Sequence, residues 1–86
     1  MTNPEKLSNS THAQRTRLLA ALESAQGYGI TSYAANQELG IYHPPARIKE
    51  LRQTGHNIAT LWETIETDIS RPRRVARYVL ISKEAN

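Results

Sequence analysis

Four arginines and a lysine, Arg71, Arg73, Arg74, Arg77 and Lys83, fall within thirteen residues near the end of this 86-residue chain and form its only concentrated charge. A guanidinium presents a planar fork of N–H donors that fits phosphate or carboxylate oxygens, so such a cluster suits an extended anion. Glu63, Glu66 and Asp68 stand just ahead of it and are placed to neutralise part of it. A second set, Tyr42, His43, Arg47, Lys49, Glu50 and Gln53, mixes donors with acceptors and suits the reading of hydrogen-bonding edges rather than the holding of charge alone. Other chemistries find little support. His12, His43 and His56 have no paired spacing and no cysteine beside them, so neither a metal nor a cofactor is expected. No nucleophile motif or glycine-rich phosphate loop is present, and Glu63 and Glu66 would face opposite sides of a strand, so neither catalysis nor a small-molecule substrate is expected.

The chain that must position these groups is short. Eleven Lys and Arg against eight Asp and Glu give a net charge of +3, and 38% of residues are hydrophobic, enough for one small core. The absence of cysteine excludes a disulfide scaffold, leaving stability to packing. The apolar runs Leu18 to Leu22 and Tyr78 to Ile81 fall far short of the ~20 residues of a membrane span, and the polar start is unlike a signal peptide, so a cytoplasmic location away from membranes is expected.

Residues 1–10 are polar and are read as a disordered arm, followed by a domain over 11–82 and a short tail over 83–86. Thr11 with Gln14 fits a capping box opening a first helix, with Leu18, Leu19, Leu22 and Ala25 at helical spacing and Gly27 and Gly29 as its stop. Gly29-Ile30-Thr31 suits a short strand. Thr31 or Ser32 can cap a second helix in which Ala35 and Leu39 share a face and Gly40 supplies the left-handed end, after which Ile41 returns to the core. His43-Pro44 is expected to be extended, with Pro45 opening a third helix that runs to Thr54 around an Ile48 and Leu51 stripe.

Residues 57–67 and 74–81 are rich in Thr, Ile, Val, Trp and Tyr and flank a turn-forming stretch, which reads as a β-hairpin with a basic tip. Ala76, Tyr78 and Leu80 are expected to face inward, whereas either the Ile58, Thr60, Trp62, Thr64 set or the Ala59, Leu61, Glu63, Ile65 set can be the inner face of the first strand. Trp62, Tyr78, Tyr28 and Tyr33 are assigned to the core.

Helix, short strand, helix, tight turn, helix and hairpin is the element order of an α+β winged helix-turn-helix domain. Residues 47–58, Arg-Ile-Lys-Glu-Leu-Arg-Gln-Thr-Gly-His-Asn-Ile, resemble the recognition helix and first wing strand of biotin-repressor-type winged helices, which often read R-I-x-x-L-R-x-x-G-x-x-I. Leu39-Gly40-Ile41 resembles the junction into the turn, Tyr78-Val79-Leu80 the closing wing strand, and His43-Pro44-Pro45 the turn of small prophage-type helix-turn-helix proteins. Ala35 lies five residues before Gly40 where the common pattern has four.

The resemblance implies duplex DNA as partner and a bacterial or phage-type transcriptional regulator or recombination accessory factor as role. Residue geometry supports it independently. With Ile48 and Leu51 inward, Ala46, Lys49, Glu50 and Gln53 point out and Arg47 and Arg52 flank the stripe, a face that fits a major groove. Tyr42 and His43 sit at its entrance, and Arg71, Arg73, Arg74 and Arg77 would meet phosphates. Glu50 repels phosphate unless it accepts from cytosine or pairs with Arg47. One such module is expected to bind weakly alone, so a homodimer or a protein partner is anticipated. The competing readings are a protein-docking module on the same scaffold and single-strand binding through exposed Trp62 and Tyr78.

Overall fold

The computed structural model describes residues 10–66 and 72–81. Three helices, α1 (Thr11–Ala25), α2 (Ser32–Leu39) and α3 (Pro44–Gln53), pack beside a sheet of β1 (Ile30–Thr31), β2 (Ile58–Ile65) and β3 (Arg73–Leu80). The sheet is antiparallel in the order β1-β3-β2, so the last strand is central and the hairpin's first strand lies at an edge. This is the winged helix-turn-helix arrangement, with β2 and β3 as the wing.

The cap of α1 differs from the capping box read from the sequence. Ser10, grouped with the arm, accepts the Ala13 N–H at 3.1 Å. Gln14 is instead 2% exposed, and its Oε1 accepts the Tyr42 N–H at 3.0 Å. Gln14, Leu18 and Leu22 follow one another at i,i+4 spacing, so the glutamine occupies the buried stripe and spends its carbonyl on the backbone of the turn before α3. α1 ends at Ala25, one residue earlier than a Gly27 stop would need, because Gln26 adopts φ 54° and starts a 3-10 turn over Gln26–Tyr28.

Gly29 follows with φ 70°, and a Cβ there would overlap the Tyr78 carbonyl, so β1 reaches β3 only through a residue without a side chain.

Thr31 caps α2 through its Oγ1, which accepts the Ala34 N–H at 3.0 Å. Gly40 ends the helix in the left-handed region, and the Ile41 N–H donates to the Ala35 carbonyl at 3.1 Å. That six-residue closure accommodates the five-residue Ala35–Gly40 spacing and drives Ile41 into the core, where it is fully buried. α3 starts one residue before the expected Pro45: Pro44 is its first residue and Pro45 its second, so Pro44 is helical rather than extended, and His43 at φ −132° and ψ 79° is non-helical but short of the fully extended region expected for it.

The core gathers Leu18 and Leu22 of α1, Ala35 of α2, Ile41, Ile48 and Leu51 of α3, and Ile58, Ala76 and Tyr78 of the wing. Direct pairs in the β2–β3 ladder, Ile58 with Leu80, Thr60 with Tyr78 and Trp62 with Ala76, share a face, so the Ile58 set is the one turned toward the helices. Burial fades along it: Ile58 is 4% exposed and Trp62 60%. The core assignment therefore holds for Tyr78 and fails for Trp62, Tyr33 and Tyr28, all exposed. β2 is the outer strand, which is why an aromatic residue in correct phase still meets solvent.

Candidate nucleic-acid interface

The first turn of α3, the start of α2 and the far end of the wing enclose a cleft of about 740 Å³. Pro44 and Pro45 form one wall, Tyr33 and Asn36 a second, and Arg73 and Arg74 of β3 a third, with Glu66 the acidic member of the lining. Prolines at the first two positions of α3 remove two N–H groups that a helix start would ordinarily offer, so the helix contributes surface there and the arginines contribute charge. Arg73 and Arg74 are both exposed, and among the described residues no carboxylate pairs with either. Arg74 lies over the Trp62 ring at 4.9 Å from its centroid, which holds the guanidinium beside the cleft without neutralising it.

The outward face of α3 is partly as expected. Lys49 and Gln53 are exposed, and Tyr42 and His43 are exposed at the helix entrance. The Tyr42 backbone is pinned by Gln14, and the His43 carbonyl accepts from Ala46 and Arg47 N–H groups at 3.0 and 3.1 Å, so the approach to the helix is fixed in place. Arg47 and Glu50 are engaged inside the protein. Arg47 donates through Nε and Nη2 to the two Glu50 oxygens at 2.8 and 2.7 Å, and its side chain is only 12% exposed. Arg15 of α1 adds a third bond at 2.9 Å. These bonds, Arg47 first and Arg15 second, outweigh desolvation and hold the Glu50 carboxyl below its ordinary pKa.

Arg77, expected at the phosphate surface, lies in the body of the sheet. Its Nε and Nη2 donate to Glu63 at 2.7 and 2.8 Å, and its Nη1 donates to the Tyr28 carbonyl at 2.8 Å. The Glu63 pKa is lowered by this pairing and the Arg77 pKa raised by it. Arg71 lies outside the described residues.

Two further arginines carry structural duties that periodicity alone does not reveal. Arg17 donates from Nε to the Leu39 carbonyl at 2.8 Å and from Nη2 to the Gly40 carbonyl at 3.3 Å, closing the end of α2 against α1. Arg52 donates to the Ile58 carbonyl from Nε at 2.9 Å and Nη2 at 2.7 Å, and to Thr60 Oγ1 at 2.8 Å, tying α3 to the wing. On the α2 wall of the cleft, Tyr33 was expected in the core and is exposed instead, and Asn36 carries no motif in the sequence. For Gln14 a signal existed: it is a polar residue in phase with Leu18 and Leu22.

Among the described residues no group of three or more His, Asp or Glu is placed to hold a metal ion, and no helix is long and apolar enough to cross a membrane. No curated protein and no solved structure matches the chain significantly. One family model does match, described as a winged helix-turn-helix domain, over residues 13–83. A small three-helix body with a basic hairpin wing and a match over most of its length make this chain a member of the winged helix-turn-helix domain family, whose folds are generally non-catalytic, DNA-binding modules.

Proposed function

We infer that the protein binds duplex DNA with sequence preference, as a small transcriptional regulator or recombination accessory factor of bacterial or phage type acting in the cytoplasm without catalysis. The observation that carries this reading is the position of Arg73 and Arg74, free of carboxylates among the described residues, across a cleft from the start of α3. A phosphodiester backbone lying in the cleft would meet both guanidinium groups, while Lys49 and Gln53 reach base edges in the adjoining major groove. Tyr42 and His43 flank that contact, and Arg71 adds a further phosphate contact. Arg47, Glu50 and Arg77 act as positioning residues, holding α3 and the wing in their relative places.

The test is fluorescence anisotropy of a mixed-sequence duplex against salt. Three or four phosphate contacts give a log–log slope of about −3 to −4, at ~0.9 per phosphate. The Arg73→Ala, Arg74→Ala double variant is expected to flatten that slope by about 2 and weaken all sequences alike. Absence of binding at low salt would overturn the reading and leave the scaffold as a docking module for protein.

A further inference from the structure

The outer edge of the wing is open in a pattern that defines what can pair with it. The Ile81 N–H donates to the Asn57 carbonyl at 2.8 Å, which marks Asn57 and Ile81 as a bonded pair. Opposed residues in an antiparallel ladder alternate between bonded and non-bonded pairs, so Ala59, Leu61, Glu63 and Ile65 spend their backbone groups on β3. Those of Ile58, Thr60, Trp62 and Thr64 point out of the sheet. Among the described residues only β3 packs extensively on β2. The Ile58 carbonyl is taken by Arg52, leaving Thr60, Trp62 and Thr64 as three open positions.

Beyond Arg52 at its Ile58 end, this edge carries little of the usual protection among the described residues. β2 holds no lysine or proline, its one-to-one register with β3 contains no bulge, and its one charge, Glu63, is bound to Arg77. We propose that it pairs antiparallel with the same edge of a second copy of this chain, about a two-fold axis at Trp62. Trp62 then faces Trp62 of the other copy and each Thr60 faces a Thr64, using the outward groups of these three positions in six backbone hydrogen bonds.

Charge selects this register. It brings Glu66 of each copy opposite Ile58 of the other, where the Arg52 guanidinium sits. A two-residue shift one way sets Glu63 against Glu63 at the closest cross-strand spacing, and the other way forces Thr64 onto the Ile58 carbonyl that Arg52 occupies. The exposed Leu61 and Trp62 gain cover in the process. The pairing stands whether or not the cleft holds DNA.

Sedimentation equilibrium of the full chain is expected to show reversible monomer–dimer exchange below about 1 mM, a modest affinity that matches a small interface. The Thr64→Pro variant deletes an outward N–H without touching a bond to β3, and Thr64→Lys adds edge charge with the backbone intact; each should weaken dimerisation at least about tenfold with unchanged circular dichroism. The chain has no cysteine, so Trp62→Cys gives a clean register probe: it should cross-link to itself in a glutathione buffer, while Leu61→Cys should not. A chain that stays monomeric at that concentration, a dimer that survives both Thr64 variants, or cross-linking favoured at position 61 would overturn the proposal.

Discussion

Arginines of the helical body and those at the end of the wing have opposite fates. Arg15, Arg17, Arg47 and Arg52 all bond to protein acceptors: two to the Glu50 carboxylate, the others to the carbonyls that end α2 and begin β2. Arg77, on the wing but level with the body, does the same with Glu63 and Tyr28. Arg73 and Arg74, only a few residues away on the same strand, face the cleft with no carboxylate among the described residues. The difference comes from which acceptors, carboxylate or carbonyl, the fold brings within reach. Where a helix stops or a strand starts, carbonyls lack partners and a guanidinium fork can serve two at once. Near the end of the wing no carboxylate among the described residues pairs with Arg73 or Arg74, so both retain their bonding capacity for something external.

This contrast can be broken experimentally. Its largest expected effect is on ligand affinity: Arg73→Ala with Arg74→Ala should reduce DNA binding about 100-fold near physiological salt, while the melting temperature stays within about 2 °C. Equal loss of stability would mean the two arginines belong with the body after all. The reverse case is Arg52→Ala, which should cost about 1 to 2 kcal/mol by chemical denaturation, since the Ile58 carbonyl loses both of its guanidinium donors. Arg52→Lys should recover little of it, because an ammonium keeps the charge but not the fork.

Smaller effects sharpen the picture. Lys49→Ala should change the ranking of duplexes by about 1 kcal/mol at one base position, read by competition among single-base variants, and leave stability unaltered. The pH profile separates the arginines a third way. Glu50 and Glu63 are held below their ordinary 4.5 in the folded chain, so the stability they contribute is complete above that value and is lost as pH falls through their depressed pKa values. Burial raises the Tyr78 pKa above its ordinary 10.0, so stability also declines once pH rises past 10. Thermal melts across pH should show a neutral plateau with both limbs, and Glu63→Gln should shrink the acid limb.

Much of the fold is visible in local residue patterns. Gly40 before Ile41, a proline pair before the Ile48 and Leu51 stripe, and two β-rich runs each act over a few residues, and the helix end, the third helix and the two strands they imply are present. The candidate site was less legible. The Arg47–Glu50 pair, three residues apart, is readable from spacing, whereas Arg15 with Glu50 across two helices and Glu63 with Arg77 across the ladder are not. Trp62 has the phase of a core residue but lies on the edge strand, where it stays exposed beside the buried Ala76 of the central strand.

The sequence by itself determined the element order and the winged helix-turn-helix class, because turn chemistry and apolar periodicity are short-range effects. The tertiary structure decided that Arg15, Arg17 and Arg77 are spent within the protein, since their acceptors include groups 22 to 49 residues away in the chain. A side chain's charge is a property of its type. Its availability depends on the unsatisfied groups that folding brings beside it.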